Sequence, residues 1–463
     1  MASANDIVTI NVSVTNPPIP SQLQKTGAFI SQGGTTTAAG TLTLLTSSAD
    51  LAAILASAKH ISALSYNNGT HLVTATATAH GLTPLGEQIT VVVSGCTPAA
   101  YNGTFLATIV DANTLTYTLA SNPGTATVFG TVTDEDVEEL VAMNTTYWAQ
   151  ANSQTSVYVL ELGNGTTAEG VTALNTFITQ NPNTIYSYLI PRTWDNEATF
   201  KTMVANYNAP STPVNFFVTT TILTYDAWSQ LDNCVFAMVE APSIPVTEFS
   251  CAAPFQVTLA WSPNSAQKVP PLAFSFVYGV TNYPTRNNLT LLADLKDANV
   301  GYIDLGSEGG LVNTIIKWGH VLGGNPINYW YTVDWTKINL ELDLANEVIN
   351  GSNNALAPLY YNQNGIDRLQ NRAAQTLRNG ISYGLVLGDV IMTELDPTVF
   401  ATNVGNGLYA GNAVINAVPF PIYTKNNPSD YMLGKYAGFQ AAITPSRNFE
   451  MVVFNLNVTN FVS

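Results

Sequence analysis

Hydrophobic and polar positions alternate near both ends of the chain. Within residues 6–15 the even positions are apolar, namely Val8, Ile10, Val12 and Val14. Within residues 450–459 one face holds Val452, Phe454, Leu456 and Val458. A period of two predicts a β-strand with one buried face. We therefore expect an N-terminal strand arm over residues 1–27 and a C-terminal strand arm over residues 445–463.

Proline residues separate both of these strands from the rest of the chain. Asn16-Pro17-Pro18-Ile19-Pro20 follows the first strand, and Pro445 precedes the second. Proline cannot continue a strand ladder and favours an extended linker. A lone strand leaves its backbone groups unpaired, so each arm must join a sheet. The residues alone leave open whether that sheet belongs to the same subunit or to another one.

Residues 61–133 differ from the sequence on either side. Short runs rich in Val, Thr, Tyr and Phe occupy residues 72–79, 88–93, 103–110, 114–118 and 125–132. Turn sequences such as Asn67-Asn68-Gly69 separate them. Five short strands at this spacing predict a small antiparallel β-sandwich, inserted into the chain as a module of its own.

The sequence around this insert predicts a mostly parallel α/β core over residues 28–60 and 134–325. Apolar runs lie at residues 157–162, 185–190, 214–221, 235–239, 272–278 and 300–305. Amphipathic helical stretches alternate with them, at residues 170–180, 196–207 and 287–298. Repeated strand–helix–strand order is typical of βαβ units.

Residues 326–444 predict a mixed α+β domain, which the two terminal strands would complete. Asp334 is placed to cap a helix that extends to about residue 349, and a second helix covers residues 365–379. The second helix also contains three of the chain's 15 basic residues, Arg368, Arg372 and Arg378. In so acidic a protein, this concentration makes contact with a partner a working hypothesis, although most helix arginines are simply solvated.

Charge and composition narrow the possible classes of function. Lys and Arg number 15 against 31 Asp and Glu, which gives a formal net charge of −16 and argues against a nucleic-acid partner. Three cysteines are too few for a disulfide scaffold. The first residues lack the features of a signal peptide, and no apolar run is long enough to span a membrane. We therefore expect synthesis in the cytoplasm and no membrane insertion.

Candidate chemistry is sparse. The sequence contains no P-loop, no Cys-x2-Cys pair and no His-Glu-x2-His motif. His71 and His80 are only two imidazoles, which is a poor basis for a metal site. Asp389 and Glu394 keep a glycosidase-like pair of carboxylates open, because their separation is unknown at this point. We predict no enzyme activity and no cofactor or metal.

The order of segments nevertheless resembles a known family. The strand at residues 7–14, the proline-bearing arm, Gly27-Ala28-Phe29-Ile30 and Thr46-Ser47-Ser48-Ala49-Asp50-Leu51 resemble the start of bacteriophage contractile-tail sheath proteins, in particular the sheath-like group of myophages. Trp148, the run at 157–162, Asp334-Trp335 and Asn364-Gly365-Ile366 fit the same plan. Residues 61–133 instead resemble an Ig-like module found in tail proteins, with His80-Gly81-Leu82 and Tyr101-Asn102-Gly103-Thr104-Phe105.

The resemblance implies a structural role in the virion tail. Sheath subunits stack as hexameric rings around a tail tube, meet the baseplate and tail terminator proteins, and contract to drive the tube into the host envelope. It also implies that the two arms donate strands to neighbouring subunits, that the inserted module lies outside, and that assembly occurs in the host cytoplasm. Under this interpretation Arg368, Arg372 and Arg378 are candidates to face the tube. The alternative hypothesis is a carbohydrate-binding or polysaccharide-degrading protein of the virion surface.

Overall fold

The structure is a computed structural model that describes residues 22–82, 85–150, 156–208, 213–228, 232–283, 288–306, 313–447 and 449. The chain divides into two compact units. One contains residues 23–334 with 446–463, and the other contains residues 335–445 with 1–22. Both combine helices with a β-sheet. A mixed α/β multi-domain fold with several sheets, as predicted, is therefore confirmed.

The first part of the larger unit consists of strands. It contains β1 (Gly27–Ser31), β2 (Leu42–Leu45), β3 (Lys59–His60), β4 (Ala63–Asn67), β5 (Leu72–Thr76), β6 (Gln88–Thr97), β7 (Gly103–Asp111), β8 (Thr114–Thr118) and β9 (Val128–Asp134). Helices and strands then alternate: α1 (Glu135–Trp148), β10 (Val157–Glu161), α2 (Thr167–Gln180), β11 (Ser187–Leu189), α3 (Ala198–Ala205), β12 (Asn215–Thr220), β13 (Val235–Val239), α4 (Ala252–Leu259), α5 (Leu289–Asp297), β14 (Gly301–Gly306) and β15 (Asn313–Lys317).

A sheet of eight strands forms the core of this unit, in the order β15-β14-β13-β12-β11-β1-β10-β2. The six inner strands are parallel, and the edge strands β2 and β15 pair antiparallel to their neighbours. Strands β11, β12 and β13 are buried along their whole length, which explains their continuous apolar sequence. The segment predicted as a strand at residues 272–278 does not form a regular one. It pairs with β15 at an isolated bridge between Phe276 and Ile315, with backbone hydrogen bonds on either side of it.

Strands β3 to β9 form a separate antiparallel sheet, in the order β3-β9-β6-β7-β8-β5-β4. Its two ends meet, because β3 pairs with β9 while β4, only two residues further along the chain, pairs with β5. At the join, Ile61 N donates to Gly130 O and Ser62 N donates to Thr76 O. The strands surround a core of their own that includes Val73, Val93 and Tyr117. The predicted two-sheet, Ig-like sandwich is not confirmed, since these strands form one sheet closed on itself.

The smaller unit begins within the long helix α6 (Ile327–Asn353). It continues with α7 (Gln363–Ser382), β16 (Val390–Thr393), α8 (Pro397–Gly405), β17 (Ala413–Ala417), α9 (Phe420–Asn426), α10 (Pro428–Met432) and β18 (Phe439–Ala442). Its three strands form a mixed sheet in the order β16-β17-β18. Among the described residues, no helix is both long enough and apolar enough to cross a membrane.

The start of α6 corrects one prediction. The helix begins at Ile327 and not after Asp334, so Asp334 is not its N-cap. Asp334 is buried instead and accepts a hydrogen bond of 2.8 Å from the hydroxyl of Tyr186. A tertiary contact that joins residues 148 positions apart therefore decides the role of this carboxylate.

Candidate assembly surfaces

The three-stranded sheet of the smaller unit has two edges that can accept another strand. Among the described residues, β16 and β18 each pair with β17 alone. β17 is buried throughout, whereas β16 and β18 are partly exposed. Backbone N–H and C=O groups at such an edge can hydrogen-bond to a strand supplied from elsewhere. These two edges are candidate docking sites for a donated strand.

Buried carboxamides hold this sheet in place. Asn416 is 0% exposed, and its Oδ1 accepts hydrogen bonds from Thr393 Oγ1 at 2.9 Å and from Leu395 N at 2.7 Å. Its Nδ2 donates to Leu395 O at 2.9 Å. From α7, Gln370 Nε2 donates to Thr393 O at 2.9 Å and to Ile415 O at 3.2 Å. Because side chains join β16, β17 and α7, the edges belong to a preorganised frame.

The three arginines predicted to face a partner lie on α7 in two different settings. Arg368 Nε donates to Glu347 at 2.5 Å, and the carboxylate belongs to α6. Arg372 Nη2 donates to Asp343, also on α6 and also at 2.5 Å. Arg378 is exposed to solvent. Two of the three charges are therefore balanced within the unit, and Arg378 is the arginine most accessible to a partner.

Sequence analysis missed these ion pairs, although their spacing is a detectable signal. Asp343 and Glu347 are four residues apart on α6, and Arg368 and Arg372 are four residues apart on α7. Antiparallel helices reverse the order of facing residues, so the first acid meets the second arginine and the second acid meets the first. Side chains four positions apart lie on the same face of a helix. The two pairs thus fix the register between α6 and α7.

The predicted arm residues have no described placement. Val8, Ile10, Val12 and Val14, and likewise Val452, Phe454, Leu456 and Val458, lie outside the described residues. Their role in subunit contact stays a prediction from their alternating pattern.

In the larger unit, the place where an open parallel sheet usually binds a ligand is filled by the chain itself. Such sites lie beyond the carboxyl ends of strands where the strand order reverses, here between β1 and β11, where Gln32 Oε1 accepts a hydrogen bond of 2.9 Å from Trp194 Nε1. Glu161, at the end of β10, is 1% exposed, and its carboxylate accepts hydrogen bonds from Ser31 Oγ at 2.7 Å and Gly33 N at 2.8 Å. Thr35 Oγ1 and Gly163 N donate to it as well, at 2.7 and 2.8 Å. The hydrogen-bond donors of these loops therefore bind the carboxylate of Glu161, which belongs to the protein itself.

A second buried ionic group lies beyond the ends of β11 and β13. Arg192 contacts Glu240 with two hydrogen bonds of 2.7 and 2.9 Å, and its guanidinium lies 4.2 Å from the ring centre of Phe249. Glu139 accepts a hydrogen bond of 2.9 Å from Arg192 N. Burial raises the pKa of Glu139 to about 7, although the charge of Arg192 opposes the shift. This network joins α1 to the loops that follow the sheet.

At its C-terminal end, the inserted sheet passes directly into the core at Asp134. Asp134 ends β9 and also caps α1, because its carboxylate accepts a hydrogen bond of 3.1 Å from Asp136 N. It lines two cavities, of about 310 and 320 Å³, between the inserted sheet and the core loops. Burial raises the pKa of Asp134 to about 6. Since a strand passes directly into a helix here, no linker separates the two parts.

The other candidates for chemistry do not converge. His71 Nδ1 contacts the hydroxyl of Tyr66 at 2.9 Å, and His80 is buried. Asp389 precedes β16 and Glu394 follows it. Five residues of extended chain span about 16 Å, more than the roughly 6.5–9.5 Å between the carboxylates of an inverting glycosidase. Among the described residues there is no group of three His, Cys, Asp or Glu side chains that could hold a metal ion.

Comparison with known proteins finds matches among solved structures only. No family model and no curated protein matches the sequence. The contracted helical sheath of the anti-feeding prophage is 12% identical, with a TM-score of 0.48 and 99% of each chain covered. The sheath tail protein of Desulfitobacterium hafniense is 9% identical, with a TM-score of 0.38, over 81% of this chain and 90% of that one. Both are sheath proteins, the class that the sequence resembles. They are likenesses only, so function has to be argued from the chain's own residues.

Proposed function

We propose that this protein is a structural subunit of a phage contractile tail sheath. Copies would polymerise as stacked hexameric rings around the tail tube, and their contraction would drive the tube through the host envelope. The observation behind this proposal is the combination of two alternating strand sequences at the chain ends with two open edges on the β16-β17-β18 sheet. Donor strands and acceptor edges on one chain support assembly by strand exchange between copies.

Strand exchange would give both affinity and register. Backbone hydrogen bonds to an edge strand supply affinity without depending on side chains. The apolar faces at residues 8–14 and 452–458 supply register, because a slip of one residue turns every apolar side chain to the opposite face. The prolines at residues 17–20 would let an arm reorient while its strand stays paired. Contraction then becomes a rigid-body repacking of subunits, from an extended state that is held kinetically until the baseplate triggers it.

The surface of α7 is our candidate for contact with the tube. A sheath must hold the tube and then release it, and exposed charges that salt can screen suit such a contact. Arg378 is the exposed arginine of this helix, while Arg368 and Arg372 would contribute through ion pairs whose charge is partly balanced. Reversing the charge with Arg378→Glu should weaken binding to the tube protein and leave self-assembly intact. Unchanged tube binding by this variant would argue against α7.

The remaining parts of the proposal follow from this role. The protein would act without catalysis or a cofactor, as part of the virion tail, after assembly in the host cytoplasm. Its partners would be further copies of itself, the tube, the baseplate and the tail terminator. The inserted sheet β3–β9 would lie on the outside of the particle, where nothing packs against it. Deleting residues 61–133 should therefore leave polymerisation intact.

The first test is negative-stain electron microscopy of the purified protein over a range of concentrations. We expect tubes or striated polysheaths from the intact chain, and their loss when residues 1–20 are deleted. Ile10→Asp with Val12→Asp should also abolish them, because charges would enter the buried face of the donated strand. Thr9→Asp with Asn11→Asp is the matched control on the polar face and should assemble. Single globular particles from the intact chain at every concentration would instead favour the carbohydrate-active alternative.

A further inference from the structure

A turn on the larger unit presents apolar side chains to solvent. Ile222 and Leu223 follow β12, and Leu223 is 85% exposed. The backbone around them is fixed, because Thr224 N donates to Thr221 O at 3.1 Å and Leu223 N donates to Thr221 Oγ1 at 3.2 Å. Thr224 Oγ1 also donates to Asp195 at 2.6 Å. These residues, 221–226, are called the Leu223 turn below. A fixed turn that holds a leucine in solvent is preorganised for contact with a partner.

A groove on the same unit offers an apolar surface that can receive such a turn. Two of its aromatic side chains, Phe276 and Tyr278, are 46% and 48% exposed. The backbone of Tyr278 is fixed by Gln150, whose side chain donates to Tyr278 O at 2.8 Å and accepts from Tyr278 N at 3.0 Å. Preorganised pockets with aromatic walls are typical receptors for an inserted apolar side chain. The groove has a volume of about 470 Å³, and its apolar lining consists of Val257, Ala260, Trp261, Pro270, Phe276 and Tyr278.

The charges beside the two surfaces are opposite in sign. Asp226 lies three residues after Leu223 and is exposed, and Lys268 is an exposed residue of the groove. Neither takes part in an ion pair within the part of the chain that the structure describes. Lys201, which is near the turn, donates to the carbonyl of Ala227 instead. Opposite charges at the edges of two apolar surfaces favour their association and fix its orientation.

The turn and the groove lie at opposite ends of the parallel strands. The Leu223 turn follows the last residue of β12, at the carboxyl end. The groove begins where α4 ends, and there Leu259 packs against Gly27, the first residue of β1. Ser262 in the groove accepts a hydrogen bond of 2.7 Å from Lys25 Nζ, just before that strand. The six residues of β12 span about 20 Å, so a copy cannot place the turn in its own groove.

We propose that the Leu223 turn of one copy docks in the groove of a second copy. Leu223 packs against the rings of Phe276 and Tyr278, and Asp226 pairs with Lys268. Each copy gives its turn to one neighbour and its groove to another, so the same contact repeats from copy to copy. Such head-to-tail contacts produce closed rings or open helical arrays, whereas a two-fold contact would stop at a dimer.

This inference rests on the proposed function only in that copies must assemble. The turn and the groove share no residue with the arms or with β16 and β18, so this contact and strand exchange can fail separately. Polysheaths from a chain whose turn and groove do not meet would reject the contact and leave the sheath proposal standing. A turn–groove contact in a chain that forms no polysheaths would support the contact and count against the sheath proposal.

Disulfide formation between engineered cysteines tests the contact in the full-length chain. Ile222→Cys with Gln267→Cys places one thiol in the turn and one at the groove. Ile222→Cys with Thr172→Cys is the matched control, since Thr172 is an exposed residue of α2 outside the groove. The three native cysteines are all buried and should not compete. Under mild oxidation, we expect the first chain to give a ladder of linked dimers, trimers and larger species about tenfold faster than the control.

Single cysteines show whether the contact is head-to-tail. A mixture of Ile222→Cys chains and Gln267→Cys chains should give linked dimers and nothing larger, because each copy then carries only one of the two thiols. Ile222→Cys chains alone should stay unlinked. Dimers from Ile222→Cys chains alone would show that two turns meet across a two-fold axis, and equal rates in the two double variants would show that turn and groove do not meet. Either result would overturn the proposal.

Further substitutions test the side chains that make the contact. Adding Leu223→Arg to the turn–groove pair should reduce linking to the rate of the control, and Leu223 is exposed enough to be changed without unfolding the protein. Leu106→Arg, at an exposed residue of β7, should leave the rate unchanged. Lys268→Glu should slow linking several-fold, and Asp226→Lys in the same chain should restore it. A rate unaffected by Leu223→Arg, or not restored by the exchange of charges, would overturn the proposal.

Discussion

Two sheets of this protein differ in their edges, because one sheet is closed and the other is open. The sheet β3–β9 closes on itself, because residues 59–67 pair with β9 at one end and with β5 at the other. The sheet β16-β17-β18 remains open on both sides among the described residues. A closed sheet has its backbone groups satisfied and a core of its own, whereas an open one keeps backbone groups at its edges that another strand can pair with. The first sheet is self-contained, and the second offers the edges on which the proposed strand exchange depends.

Replacing Ile61, which lies where the two ends of the closed sheet meet, should have the largest effect on stability. Ile61 is fully buried at the join of the closed sheet, so Ile61→Ala should destabilise the protein by about 3 kcal/mol. If the sheet is independent, unfolding should become biphasic, with an early phase from residues 59–134. Urea denaturation with hydrogen exchange of this segment would measure both. Leu106→Ala, at an exposed residue of β7, is the control. A uniform shift of the whole transition would contradict the independence of this sheet.

The open sheet should lose most stability when Asn416, its fully buried carboxamide residue, is replaced. Asn416→Ala would leave the N–H and C=O of Leu395 without their side-chain partner, at a cost of about 2–3 kcal/mol. We expect faster hydrogen exchange in β16 and weaker assembly, because the acceptor edge loses its frame. Asn371→Ala, the same substitution at an exposed residue of α7, is the matched control. Normal polysheaths from the Asn416 variant would show that strand acceptance does not need this frame.

The helix pair beside the open sheet should show a smaller effect. Asp343 accepts hydrogen bonds from both Arg372 and Thr376, so Asp343→Asn should cost about 1–2 kcal/mol in thermal or urea denaturation. The exposed pair of Lys337 and Glu341 is the control, and Glu341→Gln should cost less than about 0.5 kcal/mol. Equal losses in the two variants would mean that the buried pairing does not determine the register of α6 and α7.

The smallest expected effect is the pH dependence of stability that arises where the closed sheet passes into α1. Burial raises the pKa of Asp134 to about 6 and that of Glu139 to about 7, so the folded state binds protons that the unfolded state has already released. Stability should therefore rise as the pH falls from about 7 towards about 4. Asp134→Asn keeps an N-cap and removes the buried charge, so it should stabilise the protein at pH 7.5 by on the order of 1 kcal/mol.

An exposed cap provides the opposite control for this pH effect. Asp396 caps α8, and hydrogen bonds from Thr398 lower its pKa. Asp396→Asn should therefore destabilise the protein at neutral pH. The difference in stability from the unsubstituted chain should disappear as the pH falls below the ordinary pKa range of an aspartate. Urea midpoints at pH 7.5 and 5 distinguish the two variants. The same sign of change in both would contradict burial as the cause at Asp134.

The regular parts of the fold could be predicted from the sequence, because the burial of a strand or helix face determines which positions along the chain are apolar. The run at residues 235–239 is β13, and the run at 214–221 contains β12, since strands buried on both faces are continuously apolar. β1 was not predicted, although it lies inside the eight-stranded sheet. Its five residues lie between glycines and polar turns, so neither period stands out.

Features that depend on distant residues could not be predicted in the same way. Asp334 stands where the sequence predicts a helix N-cap, but in the fold its carboxylate accepts a hydrogen bond from the hydroxyl of Tyr186. The segment at residues 272–278 has the composition of a strand, yet two half-exposed aromatic residues line a groove there and most of its backbone lies outside the ladder. The arginines of α7 were singled out from the sequence for contact with a partner, but the acids that bind two of them lie on another helix.

The closed sheet also has a consequence for how such a chain can change over evolutionary time. Lys59 and Val132 are partners in one antiparallel pair, so the entry and exit of the insert are adjacent across a single rung of the ladder. Antiparallel partners are about 5 Å apart, so a short peptide can join the two cut ends. A lineage can thus gain or lose the whole insert in one recombination event, and the remaining protein keeps its core sheet and the edge strands β16 and β18.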